Sequence, residues 1–569
     1  MKGFIFAGRS STKPYPSTMV ASNQLISKKN LTDTQIKIIL FSLFMGSVLT
    51  RYCIGNFDKS YVIFGDEYLY WNHAKSLASG TELSARNLGK SSNIILYQWL
   101  MSLIMRLFST VRTQIKVITL LNCILTSSIV IWIYKIGKEL KLTGKFIVLA
   151  SILVLTLPDF TMTISFMTEN LYFPLAIAIF YFELKLCADI ERKELLKYSI
   201  FLGVLFACVH LTRDIALCLI VGYVGFEFLQ LLFDIVCRKK KPDYVNVCIK
   251  MFVPLGCYFV PYKIVSSMIP NSNVAGGISI TNRLAEFANI DGVVYFIERV
   301  FQDITFTVIA FFVFPVILFV LFWNCITEQE RKWMCSLIFS FLITLAVADI
   351  LVEYMPDTTY QKIRYFFVFL TPMLFMFVKL FQIQRELEYQ KISKRIYIFI
   401  VCFGIFLVLR YLKLVIYGAV ADHSSVEYLR VLGIWIGNVS FSFLNHTFYW
   451  ADLILKLIWI TFLIGGSILA MKYKKIFFIF CCSSMIILNI VNTYFCVKLY
   501  EESYTLEASS VNELERLNEY VEQLEGNVLV IIEDSGLNLN ISTKLDTYVQ
   551  KELYFAGEQC LVNLSSESG

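Results

Sequence analysis

Along the chain, apolar runs alternate with short polar connections, and many of the runs have the length a bilayer demands. A helix needs about 20 apolar residues to cross the hydrocarbon core. Runs of this kind lie near 36–55, 117–135, 146–160, 170–188, 198–213, 214–236, 247–266, 303–323, 334–352, 364–383, 396–417, 451–471 and 476–497. The pattern therefore predicts an all-α polytopic membrane protein with about thirteen transmembrane helices. Residues 93–110 (NIILYQWLMSLIMRLFST) are also apolar, but the run is short and holds Gln98 and Arg106. It is expected as an interfacial helix on the outer leaflet.

This pattern divides the chain into a polar N-terminal segment (1–35), a transmembrane domain (36–497) and a small external tail (498–569). Four segments outside the membrane are long enough to carry chemistry: 56–116, 267–302, 418–450 and the tail itself. In the tail, 510–524 has helical periodicity, with Ser510 and Glu513 at capping-box spacing. Residues 527–532 (NVLVII) read as a buried strand, so a small α/β appendage is expected.

Charge sets the orientation. Of the 569 residues 57% are hydrophobic and 17% charged, and the mean hydropathy is +0.63. Soluble domains carry about 25% charged residues, so this chain cannot coat a water-facing surface. The net charge of +7 sits largely in clusters between spans, at Lys135/Lys138/Lys141/Lys145, Arg192/Lys193/Lys197, Arg238/Lys239/Lys240/Lys241, Arg385/Lys391/Lys394/Arg395 and Lys472/Lys474/Lys475. With the N-terminus inside, all of them fall on the cytoplasmic side. An odd number of spans then sends the C-terminus outside. The expected location is the cell membrane, with membrane lipids as surroundings and no nucleic-acid partner. The fifteen cysteines are scattered, without zinc spacing, and read as small buried hydrophobes.

Candidate chemistry gathers on the outer side. Asp66 and Glu67 open a segment (DEYLYWNHAKSLASG) that reads as a short helix ending near Gly80. Asp66 suits a helix cap, and a cap also fixes a carboxylate rigidly at the membrane surface. Glu169 directly precedes a span, where an acid complements the helix dipole. Arg213 lies between two apolar runs beside Asp214, and Arg364 stands at the mouth of another span before Tyr365. A guanidinium in such a place either snorkels to the interface or holds a phosphate bidentately.

The segment GDEYLYWNHAKSLASG resembles the first-loop motif of GT-C glycosyltransferases, most closely the branch of protein O-mannosyltransferases and lipid A aminoarabinose transferases. The similarity continues through Tyr97-Gln98-Trp99-Leu100, Thr168-Glu169, Thr212-Arg213 and Arg364-Tyr365, covering roughly 36–385. Ser91-Ser92-Asn93 replaces the proline-rich approach of the lipid A branch, Glu169 stands where that branch generally has Asp, and the resemblance does not extend to the C-terminal tail. The resemblance implies a GT-C-like bundle with outer-face interfacial helices. It implies Asp66 as the principal catalytic carboxylate, with Glu67 and Glu169 in support. Tyr97, Arg213, Arg364 and Tyr365 become substrate-binding residues. A polyprenyl-phosphate sugar would be the donor and a cell-envelope glycan, lipid or protein the acceptor, with inversion at the anomeric carbon. Metal dependence varies among such relatives; a divalent cation, if used, would fall to Asp66 and Glu169. The rival reading is a transporter or flippase of a lipid-linked precursor, to which Lys456 inside 451–471 is the best-suited residue.

Overall fold

The structure is a computed structural model of the whole chain. It describes residues 31–55, 60–61, 66–80, 95–157, 163, 165–239, 242–267, 289–310, 315, 318, 323–351, 363–383, 394–411, 440–443, 446–506, single positions within 516–523, 528–531 and 553–556.

Helix formation starts at a reciprocal cap. The Thr32 amide donates to the Gln35 side chain (2.9 Å) and the Gln35 amide to the Thr32 hydroxyl (3.2 Å), which satisfies two otherwise orphaned donors. Helix α1 (Asp33–Gly55) follows, then strand β1 (Ser60–Tyr61) and the two short helices α2 (Asp66–Ser79) and α3 (Leu96–Leu107). Next come α4 (Val111–Ser127), α5 (Ile129–Glu139), α6 (Gly144–Leu155), α7 (Glu169–Leu186), α8 (Arg192–His210), a 3₁₀ turn (Asp214–Ala216) and α9 (Leu217–Val236). The second half holds α10 (Tyr244–Ser267), α11 (Ile290–Ala310), α12 (Glu328–Leu351), the short α13 (Ile363–Phe366), α14 (Leu370–Gln382) and α15 (Lys394–Tyr411). The hairpin β2 (Ser440–Phe443) and β3 (His446–Tyr449) leads into α16 (Trp450–Lys472), α17 (Lys474–Tyr504) and β4 (Thr505–Leu506). Strands β5 (Val528–Ile531) and β6 (Leu553–Ala556) pair in parallel.

Each of the thirteen expected segments overlaps one or two of these helices. Among the described residues, six helical stretches are long and apolar enough to cross a membrane: 33–55, 111–139, 214–236, 244–267, 328–348 and 475–494. Four shorter apolar helices, 144–155, 367–382, 401–411 and 453–469, join them. The molecule is a helical multi-pass membrane bundle. Helix α3, by contrast, has 12 residues. At 1.5 Å per residue it extends about 18 Å, well short of the roughly 30 Å hydrocarbon core.

Two boundaries differ from the sequence expectation. Helix α11 begins at Ile290, so 290–302 is helical, ahead of the expected span that starts at 303. Its charged residues hide it from a hydropathy window, yet Arg299 and Asp303 are buried in the bundle. Helix α17 runs on to Tyr504 and takes the first residues of the tail with it. Strand β5 lies within the expected strand 527–532; most of the expected helix 510–524 lies outside the described residues.

The main core joins α1, α5–α9, α12, α14, α16 and α17 around Phe180, Phe206, Trp333, Phe375 and Phe477. The Trp333 indole donates to the Phe180 carbonyl at 2.9 Å, which satisfies a polar group that burial would otherwise penalise. Polar tethers fix one end of the bundle. Asp33 pairs with Lys37 and Lys138, Glu139 with Lys185, and Arg192 with Asp243, while Lys379 donates to the Leu140 carbonyl at 2.6 Å. The turn from α5 to α6 is a Schellman motif: Lys141 has φ +56°, Leu142 N–H donates to Gly137 and Lys141 N–H to Lys138.

The opposite end carries α2, α3 and the junctions α6–α7 and α8–α9. There β1 pairs antiparallel with β4, Ser60 opposite Leu506 and Tyr61 opposite Thr505. The segment after α1 and the segment after α17 thus share one face.

Candidate active site

A small second core builds the floor of the site. Trp71 of α2 stacks on Phe166 with centroids 5.5 Å apart, and Ala74, Tyr97, Met101, Ile118 and Leu171 close around them. Arg106 at the end of α3 donates to the carbonyls of Leu77 and Ala78. It caps the end of α2, where Gly80 turns the chain with φ +73°. The amides of Ile95 and Leu96 both donate to the Leu211 carbonyl (2.8 and 3.0 Å), hanging α3 on the end of α8.

The loop before α7 is pinned by two buried asparagines. Asn122 of α4 accepts the Tyr97 hydroxyl (2.8 Å) and donates to the Ser165 carbonyl (3.2 Å). Asn170 donates to the carbonyls of Ser165 (2.9 Å) and Met167 (3.0 Å) and accepts from the Thr126 hydroxyl (3.3 Å). Those bonds set where Glu169 begins its helix.

Glu169 has no exposed surface. Its carboxylate forms an ion pair with Arg213 and accepts from the Thr168 hydroxyl at 3.3 Å. A carboxylate so deep requires a counter-charge. Arg213 leaves α8 on extended backbone (φ −161°, ψ 131°), and its guanidinium lies 5.0 Å from the Tyr365 ring and 5.9 Å from the Tyr172 ring. Both rings present a negative face to the cation. Asp214, its sequence neighbour, instead stands 3.9 Å from His210.

Tyr97 is fully buried, and burial raises its hydroxyl pKa. The negative fields of Glu67 and Glu169 act in the same direction, against the lowering effect of Asn122. The phenol is thereby held as a neutral donor, and the two carboxylates lie close enough for it to feel both. Glu67, on the first turn of α2, is itself buried.

Five of the seven residues named from sequence, Glu67, Tyr97, Glu169, Arg213 and Tyr365, thus gather at one end of the bundle. Asp66 is the first residue of α2, as expected, and Arg364 lies on α13 beside Tyr365. The side chains of Asp66 and Arg364 are outside the described ones. Among the described residues no three His, Cys, Asp or Glu side chains converge.

Sequence reasoning passed over Asn122, Asn170 and Arg51. Thr119, Asn122 and Thr126 form a buried polar stripe at helical spacing inside an apolar run, a signal that was open to view. Arg51 is buried at the end of α1, where it donates to the Leu155 carbonyl (2.7 Å) and the Ser47 hydroxyl (3.0 Å).

Residues 92–258 match the family model described as dolichyl-phosphate-mannose-protein mannosyltransferase. That stretch contains Tyr97, Asn122, Glu169 and Arg213. No curated protein matches the chain in sequence. Among solved structures, ArnT from Cupriavidus metallidurans bound to undecaprenyl phosphate is similar over 91% of this chain and 86% of its own, at 12% identity and a TM-score of 0.49. The Archaeoglobus fulgidus oligosaccharyltransferase tethered to an acceptor peptide is similar over 90% of this chain and 63% of its own, at 10% identity and a TM-score of 0.43. The family match lies across the buried Glu169–Arg213 junction, so over residues 92–258 the chain is similar to this mannosyltransferase family.

Proposed function

We propose that the protein transfers a sugar from a polyprenyl-phosphate donor to a cell-envelope acceptor on the non-cytoplasmic face. The observation that carries this reading is the meeting of Glu67, Tyr97, Glu169, Arg213 and Tyr365 at the end of the bundle away from the basic clusters. The matched family's description, with its dolichyl-phosphate-mannose donor, supports a lipid-phosphate-linked sugar.

In the proposed reaction the acceptor hydroxyl attacks the anomeric carbon and the bond from that carbon to the donor phosphate breaks. Asp66 takes the acceptor's proton. The phosphate leaves on the lipid, and its gathering negative charge is met by Arg213 and Arg364. One displacement inverts the anomeric centre. Glu169 is committed to Arg213, so its role is to orient that guanidinium, and Glu67 supports the field around Asp66. A divalent cation, were one used, would be held by Asp66 and would supply further charge for the departing phosphate.

The test is incubation of the purified full chain with a panel of polyprenyl-phosphate sugars and candidate acceptors, followed by mass spectrometry of released lipid phosphate. Release that depends on the acceptor supports the reading. Absence of release across the panel, from protein that is folded and monodisperse, counts against it.

A further inference from the structure

Helices α9 and α12 meet closely at one level and part below it. At Gly222 a Cβ would stand 2.6 Å from the Ser340 Cα, and at Gly225 it would stand 2.8 Å from the Phe339 ring. Glycine alone allows that approach. Towards Val236 and Glu328, at the end opposite the Glu169–Arg213 pair, the two helices leave a cavity of about 850 Å³ between them. Its α9 wall is one helical face, with Leu229 and Phe233, and its α12 wall is another, with Phe339 and Leu342. Leu229, Phe233 and Leu342 are each close to half exposed. In a membrane helix that exposure is to acyl chains.

The rim of the cavity is ionic. Arg238 pairs with Asp234 (3.2 Å) and approaches Glu328 (3.9 Å), and Lys332 pairs with Glu328 (3.2 Å). These contacts match two cations with two carboxylates. Arg331, the third cation on the rim, has no ion pair among the described residues. The exposed Lys239 follows Arg238 directly, with Lys240 and Lys241 next in the sequence.

An apolar slot between two spans, opening at the level where a surplus of positive charge begins, has the form of a whole lipid: chains below, anionic head above. We propose that this cavity binds an anionic two-chain phospholipid of the membrane leaflet on that side, its phosphate held by Arg331. The slot is of a size to take ordered chain segments, since ligand sites commonly span about 300–1,000 Å³. Attraction of anionic lipid to each interfacial Lys or Arg supplies the headgroup preference. Nothing in this proposal depends on which sugar or acceptor the opposite end uses.

The probes are dioleoyl phosphatidylglycerol and dioleoyl phosphatidylcholine, titrated against the delipidated full chain and read by native mass spectrometry. The proposal expects the wild-type protein to bind phosphatidylglycerol on the order of tenfold more tightly than phosphatidylcholine. Arg331→Gln should abolish that preference while leaving the thermal midpoint in lipid-free detergent unchanged. Leu342→Trp, which narrows the slot and keeps every charge, should lower the affinity for phosphatidylglycerol. Equal binding of the two lipids to the wild-type protein overturns the proposal. So does an undiminished preference in Arg331→Gln, or full affinity in Leu342→Trp, which would move the lipid out of the cavity to the surface charge.

Discussion

Arg213 and Glu169, 44 positions apart in sequence, form an ion pair in which the carboxylate has no exposed surface and the arginine is 9% exposed. The pair joins the end of one span to the start of another. It also commits the Glu169 carboxylate to a buried counter-charge at that junction.

Breaking the pair from one side should cost more than removing it whole. Arg213→Gln leaves Glu169 buried without its counter-charge, a loss of roughly 3–5 kcal/mol. The double change Arg213→Gln with Glu169→Gln should recover part of that stability. Thermal unfolding in detergent checks it, and a double variant no more stable than the single would mean that the pair does not hold the junction.

Tyr97 tests the asparagine network behind the pair. Tyr97→Phe leaves the Asn122 Oδ1 without its donor, at a cost of about 1–3 kcal/mol. The loop before α7 then loosens, so kcat should fall with the melting midpoint while the donor KM changes little. A raised KM with unaltered stability would instead put the hydroxyl on the substrate.

The bundle pattern and the first-loop motif were legible in the sequence because each is local. Span length, basic turns and the run from Asp66 to Gly80 need no partner to be read. The pairing of Glu169 with Arg213 was hidden: Asp214, one residue on, is as plausible a partner by sequence, and only the extended backbone at Arg213 turns the guanidinium to Glu169. The early start of α11 was hidden for a related reason. Charges at Asp291, Glu298, Arg299 and Asp303 depress local hydropathy, although two of them are buried by neighbours distant in sequence. Two-residue pairings such as Ser60–Leu506 leave no periodicity at all.

Close helix packing gives a test of the fold independent of chemistry. Gly222→Val places carbon against the Ser340 backbone and should destabilise by about 1–3 kcal/mol or more. Gly46→Ala, where a Cβ meets nothing within 4 Å, should be neutral or stabilise by up to about 1 kcal/mol. Equal effects at both positions would contradict the contact between α9 and α12.

The shared face of β1 and β4 makes the expected topology open to a labelling test. With the N-terminus cytoplasmic, a cysteine at Thr143→Cys should label from the cytoplasm and one at Ser509→Cys from outside. Labelling of both from one side would overturn the assigned orientation, including the reading of 93–110 as interfacial.

The measurement that bears most directly on the account is sugar transfer by Asp66→Asn, with a donor and acceptor on which the wild-type protein is active. Asn caps a helix about as well as Asp, so a capping role alone predicts nearly full activity and unchanged stability. A proton-accepting role predicts a loss of about 10²–10⁴-fold in rate, because the amide keeps the shape and loses the base. The account predicts that loss, with the melting midpoint held near the wild-type value and donor binding retained. Full transfer activity in Asp66→Asn would contradict it.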